Sequence, residues 1–164
     1  VAERKFTESR REMENILLEE TIGYLGMSVN DEPYVVPLNY GYVDGRILFH
    51  CALAGEKIDY LQANPRVCFT VGRQEGNIRR HAEGDPCHTN NDSVICRGNA
   101  RIIEDQAERS LALNEFNRYF QADADEIPAA DVAGCLAVEI EIVEMTGRQE
   151  RDGERVYWRY TFAR

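Results

Sequence analysis

Apolar side chains recur at helical spacing near the N-terminus and then, from Ile22 onward, at every second position. Ser9-Arg-Arg-Glu12 is a capping-box pattern, and Met13, Ile16 and Leu17 fall on one helical face after it, which predicts a short amphipathic helix. Gly23, Leu25, Met27 and Val29 then alternate with Ile22, Tyr24 and Ser28, Asp31-Glu32 turns the chain, and Tyr34 to Val43 runs extended. Asp44-Gly45 is a two-residue hairpin signal into Arg46 to Cys51. Arg66 to Arg73 and Asp92 to Ile103 read as further strands, separated by a long Gly-, Asn- and His-rich segment from Gln74 to Asn91. Asp105-Gln-Ala-Glu108 repeats the capping box before a helix whose apolar face holds Leu111, Ala112, Phe116, Tyr119 and Phe120. Leu136 to Ile142 and Val156 to Phe162 alternate again. No repeat, linker or low-complexity tract interrupts this order, so residues 1–164 read as one domain. The expected fold is mainly β with peripheral α: six to seven antiparallel strands in a closed or partly open barrel.

Composition narrows the partners. The 164 residues are 43% hydrophobic and carry a formal charge of −10, which disfavours a nucleic-acid surface or docking on anionic lipid. No apolar run reaches membrane-spanning length and the first residues, VAERKFTESRREMEN, hold no apolar signal region, so the cytoplasm is the expected location. Five widely spaced cysteines (Cys51, Cys68, Cys87, Cys96 and Cys135), most of them within apolar strand-like runs, read as reduced core residues. His81, Cys87 and His88 lack paired metal-ligand spacing and read as a polar surface loop rather than a metal site.

The densest chemical signal is Ile47 to Val67, ILFHCALAGEKIDYLQANPRV. A strand ending in His50, Cys51 and Ala52 leads through a small-residue turn to a lone Lys57 at the start of a short helix. Free backbone N–H groups beside a cation suit a phosphate, hence a phosphorylated cofactor. ALAGEKI is not a Walker motif, since it lacks the leading glycine spacing and the Ser or Thr after lysine. Pro37 in VVPLNY cannot donate to a sheet ladder; it marks either an ordinary edge strand or an opening beside which the backbone of Leu38 and Asn39 could meet a planar ring.

Taken in order, RREM, YVVPLNYGY, ILFHCALAGEKIDYL, NPRVCF, SVICRGNARI and VEIEIVEMTGRQ resemble the pyridoxamine 5′-phosphate oxidase-like flavin-binding split barrels, nearest the nitroimidazole-resistance branch. The resemblance implies a split β-barrel and a homodimer with FMN at each of two interface sites. It places Pro37, Leu38, Asn39 and Tyr40 along the flavin ring, His50, Cys51 and Ala52 at the end of the next strand, Lys57 on the phosphate and Ser93 at a polar flavin contact. Where the oxidases have an Arg before this lysine the chain has Glu56, and Arg97 of the same or the other subunit is the candidate replacement. The C-terminal substrate motif of the oxidases has no match in GERVYWRYTFAR, which disfavours pyridoxamine phosphate as substrate; Trp158 could either cover the flavin or pack on the second subunit.

The activity this implies is an FMN-dependent reductase of small aromatic or nitroaromatic molecules with an external nicotinamide donor, with the redox chemistry supplied by the cofactor and no catalytic acid or base required. Two other classes compete: a non-catalytic flavin-binding or sensor module, and a haem-binding barrel using His50, His81 or His88 as axial ligand. The alternative reading of His50 is a satisfied strand-end histidine.

Overall fold

The computed structural model describes residues 5–75 and 89–163. The segment holding His81, Cys87 and His88 lies outside the described residues. The elements run β1 (Thr7–Glu8), α1 (Arg11–Glu19), β2 (Ile22–Val29), β3 (Glu32–Asn39), β4 (Gly41–Val43), β5 (Arg46–Cys51), α2 (Glu56–Ala63), β6 (Arg66–Glu75), β7 (Asn90–Ile103), α3 (Gln106–Phe120), α4 (Ala129–Val132), β8 (Leu136–Arg151) and β9 (Glu154–Thr161). The expected mainly β split barrel with peripheral helices is present, with nine strands in place of six or seven. One extra strand is the two-residue β1, which pairs in parallel with β9; the other arises because the run from Tyr34 to Val43 divides at Tyr40.

That division is the split. β3 pairs only with β2 and stands at one end of the order β1-β9-β8-β7-β6-β2-β3, while β4 pairs with β5, and β5 pairs with the first half of β8. The chain therefore crosses from one sheet edge to the other through Tyr40, and the barrel stays open between β3 and β5. Pro33 and Pro37 sit on this edge strand with outward, exposed side chains, where a missing N–H costs no ladder bond. The 16-residue β8 serves two partners: Arg46 to Cys51 lie against Leu136 to Glu141, and β9 lies against Glu144 to Arg151. The polar MTGRQER stretch hides this second half in the sequence, where alternation ends near Ile142.

Alternation is obeyed inside the barrel. Leu25, Phe49, Phe69, Ile47, Ile140 and Met145 are fully buried with Met13 and Leu17 of α1, each large side chain contributing about 1.5–3 kcal/mol by leaving water. A second, smaller core under α3 joins Leu48, Ile103, Ala112, Leu113, Val132 and Ala137. α3 buries Ala112, Leu113 and Asn114, so the expected face holds only in part: Ala112 and Phe116 pack against this core, whereas Leu111 and Phe120 are exposed. Asn114 explains the rotation, because its amide donates to Ser110 O and its carbonyl accepts from Ile127 N, anchoring the connection to α4.

The two predicted caps differ. The Asp105 carboxylate accepts from Glu108 N at 2.9 Å, as expected, but the Glu108 side chain turns to Arg101 instead of back to the cap. At α1 the cap position is Arg10, without a side-chain capping bond, and its guanidinium bonds Glu14 at 2.8 Å. The Asp44-Gly45 hairpin has φ of 48° and 81°, as a type I′ turn needs; the preceding hairpin turns at Asn30-Asp31, one residue earlier than expected, with φ of 52° and 67°.

Candidate flavin-nucleotide site

The end of β5 and the start of α2 form a small open cradle in the barrel split. Its volume is about 220 Å³, and Tyr34, Cys51, Ala52, Gly55, Glu56 and Lys57 line it. Tyr34 comes from β3 and Cys51 from β5, which no ladder joins, so the pocket exists because the barrel does not close. Gly55 has φ 138° and ψ 167°, a conformation that L side chains rarely adopt, and an added Cβ would meet nothing within 4 Å. The backbone, not crowding, therefore requires glycine at the turn that aims the start of α2 into the cradle. Ile58 N and Asp59 N bond Gly55 O, which leaves the N–H groups of Glu56 and Lys57 without a partner among the described residues.

Lys57 is half-buried, with Nζ 5.6 Å from the Phe49 ring centroid and no carboxylate partner among the described residues. Burial raises the Cys51 thiol above its ordinary value, with Lys57 pulling the other way, so a neutral S–H faces the cradle at physiological pH. Tyr34 closes one wall through ring contact with Tyr60 of α2 at 5.1 Å. An unpaired ammonium, two free N–H groups and a neutral thiol around an open turn can hold a phosphoryl group by charge-assisted hydrogen bonds.

Of the residues expected at the site, Cys51, Ala52 and Lys57 come together. Pro37, Leu38 and Asn39 lie on β3, whose outer edge has no strand partner and so offers backbone groups off the sheet; Asn39 Nδ2 itself donates to Thr21 O at 2.9 Å. Tyr40 is a core residue: it is 0% exposed, its hydroxyl donates to Leu17 O at 2.7 Å, and its ring packs edge-on to Phe69. Its side chain cannot touch a ligand. His50 points to the other face of β5, edge-on to Phe116 of α3 with ring centroids 5.1 Å apart.

Ser93 and Arg97 are not brought to the cradle of the same chain. Ala100 N bonds Pro65 O beside the end of α2, and Ser93 lies seven residues back along β7, about 23 Å at strand rise. Arg97 is exposed on the outer sheet face and pairs with Glu144 at 3.0 Å. Trp158 is buried at 7% exposure in the main core of its own chain, so it neither covers this cradle nor stands free for a second subunit. Tyr34 and Ile58 line the site without having been expected there, and Phe49 lies in the core beneath Lys57; for Tyr34 the inward phase of Tyr34, Val36 and Leu38 was the available signal.

A second concave surface lies on the outer face of β2, β3, β6 and β7. It is a broad groove of about 760 Å³ whose lining includes Tyr24, Val35, Cys68 and Thr70, with Arg66 and Arg97 beside them. Tyr24 and Val35 are 47% and 59% exposed, a large apolar area for strands that the rest of the sheet buries on its other face.

Comparison with known families decides the lineage. The family model described as pyridoxamine 5′-phosphate oxidase matches residues 9–149, most of the chain. The chain belongs to the pyridoxamine 5′-phosphate oxidase family. The matched span contains the whole cradle and the split. Among solved structures, the chain is similar to a Bacteroides thetaiotaomicron protein provisionally named a 5-nitroimidazole antibiotic resistance protein (28% identity, TM-score 0.75, 86% of this chain and 84% of that one). It is also similar to a FAD-binding protein from Mesorhizobium loti (26% identity, TM-score 0.66, 87% and 96%). An uncharacterized protein of Rhizobium meliloti is 29% identical over 69 residues, 42% of this chain and 45% of that protein, so the match spans less than half of that relative's length. The Mesorhizobium loti relative is named as FAD-binding, and the fold here is shared with it.

Proposed function

We propose that the protein is a flavin-dependent oxidoreductase that reduces small aromatic or nitroaromatic molecules at the expense of a nicotinamide donor. The observation that carries this is the cradle: Lys57 and two backbone N–H groups, all without a partner among the described residues, in a pocket at the split. The residues fit the 5′-phosphate that FMN and FAD share, with FMN the smallest flavin that would satisfy them. Lys57 and the α2 start would hold that phosphate, Cys51 would donate weakly to it, and the free edge of β3 at Pro37 to Asn39 would face the polar edge of the ring. A bound flavin supplies the hydride and single-electron chemistry. The chain contributes orientation and exclusion of water, and Glu56 is the one carboxylate among the described residues that lines the cradle. The oxidase family and the FAD-binding relative support the flavin; the likeness to the resistance-named protein supports the nitroaromatic substrate class.

The proposal includes a two-fold homodimer formed through the groove on β2 and β3, where Tyr24 and Val35 would be covered. Of the C-terminal aromatics, Trp158 lies in the core of its own chain, and Tyr160 and Phe162 pack beneath the Arg10 guanidinium. The deciding experiment loads the protein with flavin and follows its absorbance by stopped flow. Reduction by a nicotinamide donor and reoxidation by a nitroaromatic or quinone should both exceed the rates of free flavin, because orientation removes part of the entropic barrier. Rates equal to free flavin across several donors and acceptors would favour a passive flavin carrier. Lys57→Ala should weaken flavin binding by about 1.5–3 kcal/mol, the scale of a charge-assisted hydrogen bond, with an unchanged circular dichroism spectrum.

A further inference from the structure

The cradle carries a charge arrangement that a strong phosphate clamp would avoid. Glu56, the first residue of α2, lines the same pocket as Lys57, and these two are its only charged side chains among the described residues. The carboxylate and the ammonium do not pair with each other, and neither has another ion-pair partner among the described residues. Both are therefore available to a ligand, with opposite effects.

We propose that Glu56 sets the nucleotide specificity of this site by cancelling the advantage that Lys57 alone would give a doubly charged phosphomonoester, so that a flavin whose phosphoryl group carries a second ester, as in FAD, is accepted as readily as FMN. The inference rests on the flavin reading above and names the residue that lets the cradle admit both flavins. A phosphomonoester carries close to two negative charges at neutral pH, whereas each phosphoryl group of a diphosphate diester carries one. Repulsion by Glu56 grows in proportion to that charge, so the second charge of FMN gains from Lys57 what it loses to Glu56. In a site this open to water, one unit of charge is worth about threefold in affinity, which makes the Glu56 penalty about threefold on a monoanion and about tenfold on a dianion. Space for the second substituent is present: Ala52, Leu53, Ala54 and Gly55 are all exposed, and the Gly55 Cβ position has no atom within 4 Å, so the rest of a dinucleotide leaves toward solvent without a clash.

A purely structural role for Glu56 is the alternative, because a carboxylate in the first turn favours α2 through the helix dipole. The two separate by measurement. Retention of FMN and of FAD on ultrafiltration is titrated for the wild-type protein, Glu56→Gln and Lys57→Ala. Glu56→Gln should tighten FMN about tenfold and FAD about threefold, lowering the ratio of their Kd values about threefold, and 1 M salt should abolish the change by screening. Equal shifts for both flavins, no shift, or a shift that survives salt would overturn the specificity role while leaving the cradle in place. If the wild-type protein retains neither flavin, or Lys57→Ala binds both as the wild type does, the flavin reading itself fails and this inference falls with it.

Discussion

Tyr40 follows directly on an edge strand with exposed alternate positions, yet it is fully buried, and burial pushes its phenol well above the ordinary value. Its hydroxyl supplies a partner for Leu17 O at the end of α1, where helix carbonyls run out of intrahelical donors. Tyr40→Phe should therefore cost about 1–2 kcal/mol in urea unfolding, because a buried carbonyl is left unsatisfied while the ring stays packed. A cost near zero would mean that another donor reaches that carbonyl. Flavin affinity should not change in this variant, since the side chain lies on the core side of the split.

At the scale of elements, the long β7–β8 pair holds the two sides of the barrel together. Its register shifts between Arg97 and Gly98, and an added Cβ at Gly98 would sit 2.2 Å from Glu141 O and 2.9 Å from Ile140 Cγ2. These neighbours are a backbone oxygen and the branched methyl of a buried residue, neither of which can step aside, so the bulge must distort. Gly98→Ala should lose at least about 2 kcal/mol of stability, read as a fall in the urea midpoint. An unchanged midpoint would show that the bulge can slide. α2 is held differently: eight residues bury only Ile58 and Leu61, and its place depends on the Gly55 turn and on Asn64, which bonds Ser28 O.

Across the whole molecule, charge is concentrated where β6, β7 and β8 converge. Asp92 is 1% exposed and accepts from Arg73 Nε and Arg151 Nη2, both at 2.8 Å; Arg73 also bonds Glu19 at the end of α1. Burial alone would raise the Asp92 carboxyl, but hydrogen bonds from Arg151, Arg73 and Gln149 outweigh it and hold it below the ordinary range. A group whose folded value is depressed stabilises the fold above its unfolded value and loses that contribution as pH falls through the folded one. Stability should thus decline below about pH 4 in the wild type, and Asp92→Asn should flatten this acid limb while costing about 3 kcal/mol at neutral pH. Parallel acid limbs in urea titrations of the two proteins would assign the decline to other carboxylates. For assembly, light scattering at micromolar concentration should give twice the 18.8 kDa chain mass, and Val35→Arg should return it to the monomer by placing a charge in the apolar groove. A wild-type monomer would remove the dimer from the proposal.

The alternation of Gly23, Leu25 and Met27, the helical spacing of Met13, Ile16 and Leu17, the Asp44-Gly45 turn and the Asp105 cap are local properties, and the sequence by itself determined them: the strands, the first helix, the mainly β class and the position of Lys57 after a small-residue turn. The family motifs added the split barrel. Only the tertiary structure decided which edge each half of the Tyr34 to Val43 run would join, since a strand's period of two says nothing about its partner. The same holds for the site. Cys51 and Lys57 are close in sequence and were legible as a cradle, whereas Tyr34 reaches it only through the packing of β3 on α2, and Ser93 and Arg97 are carried away by strand length and face. The reach and facing of a side chain are set by pairing register and by what lies underneath, and those are properties of the assembled sheet.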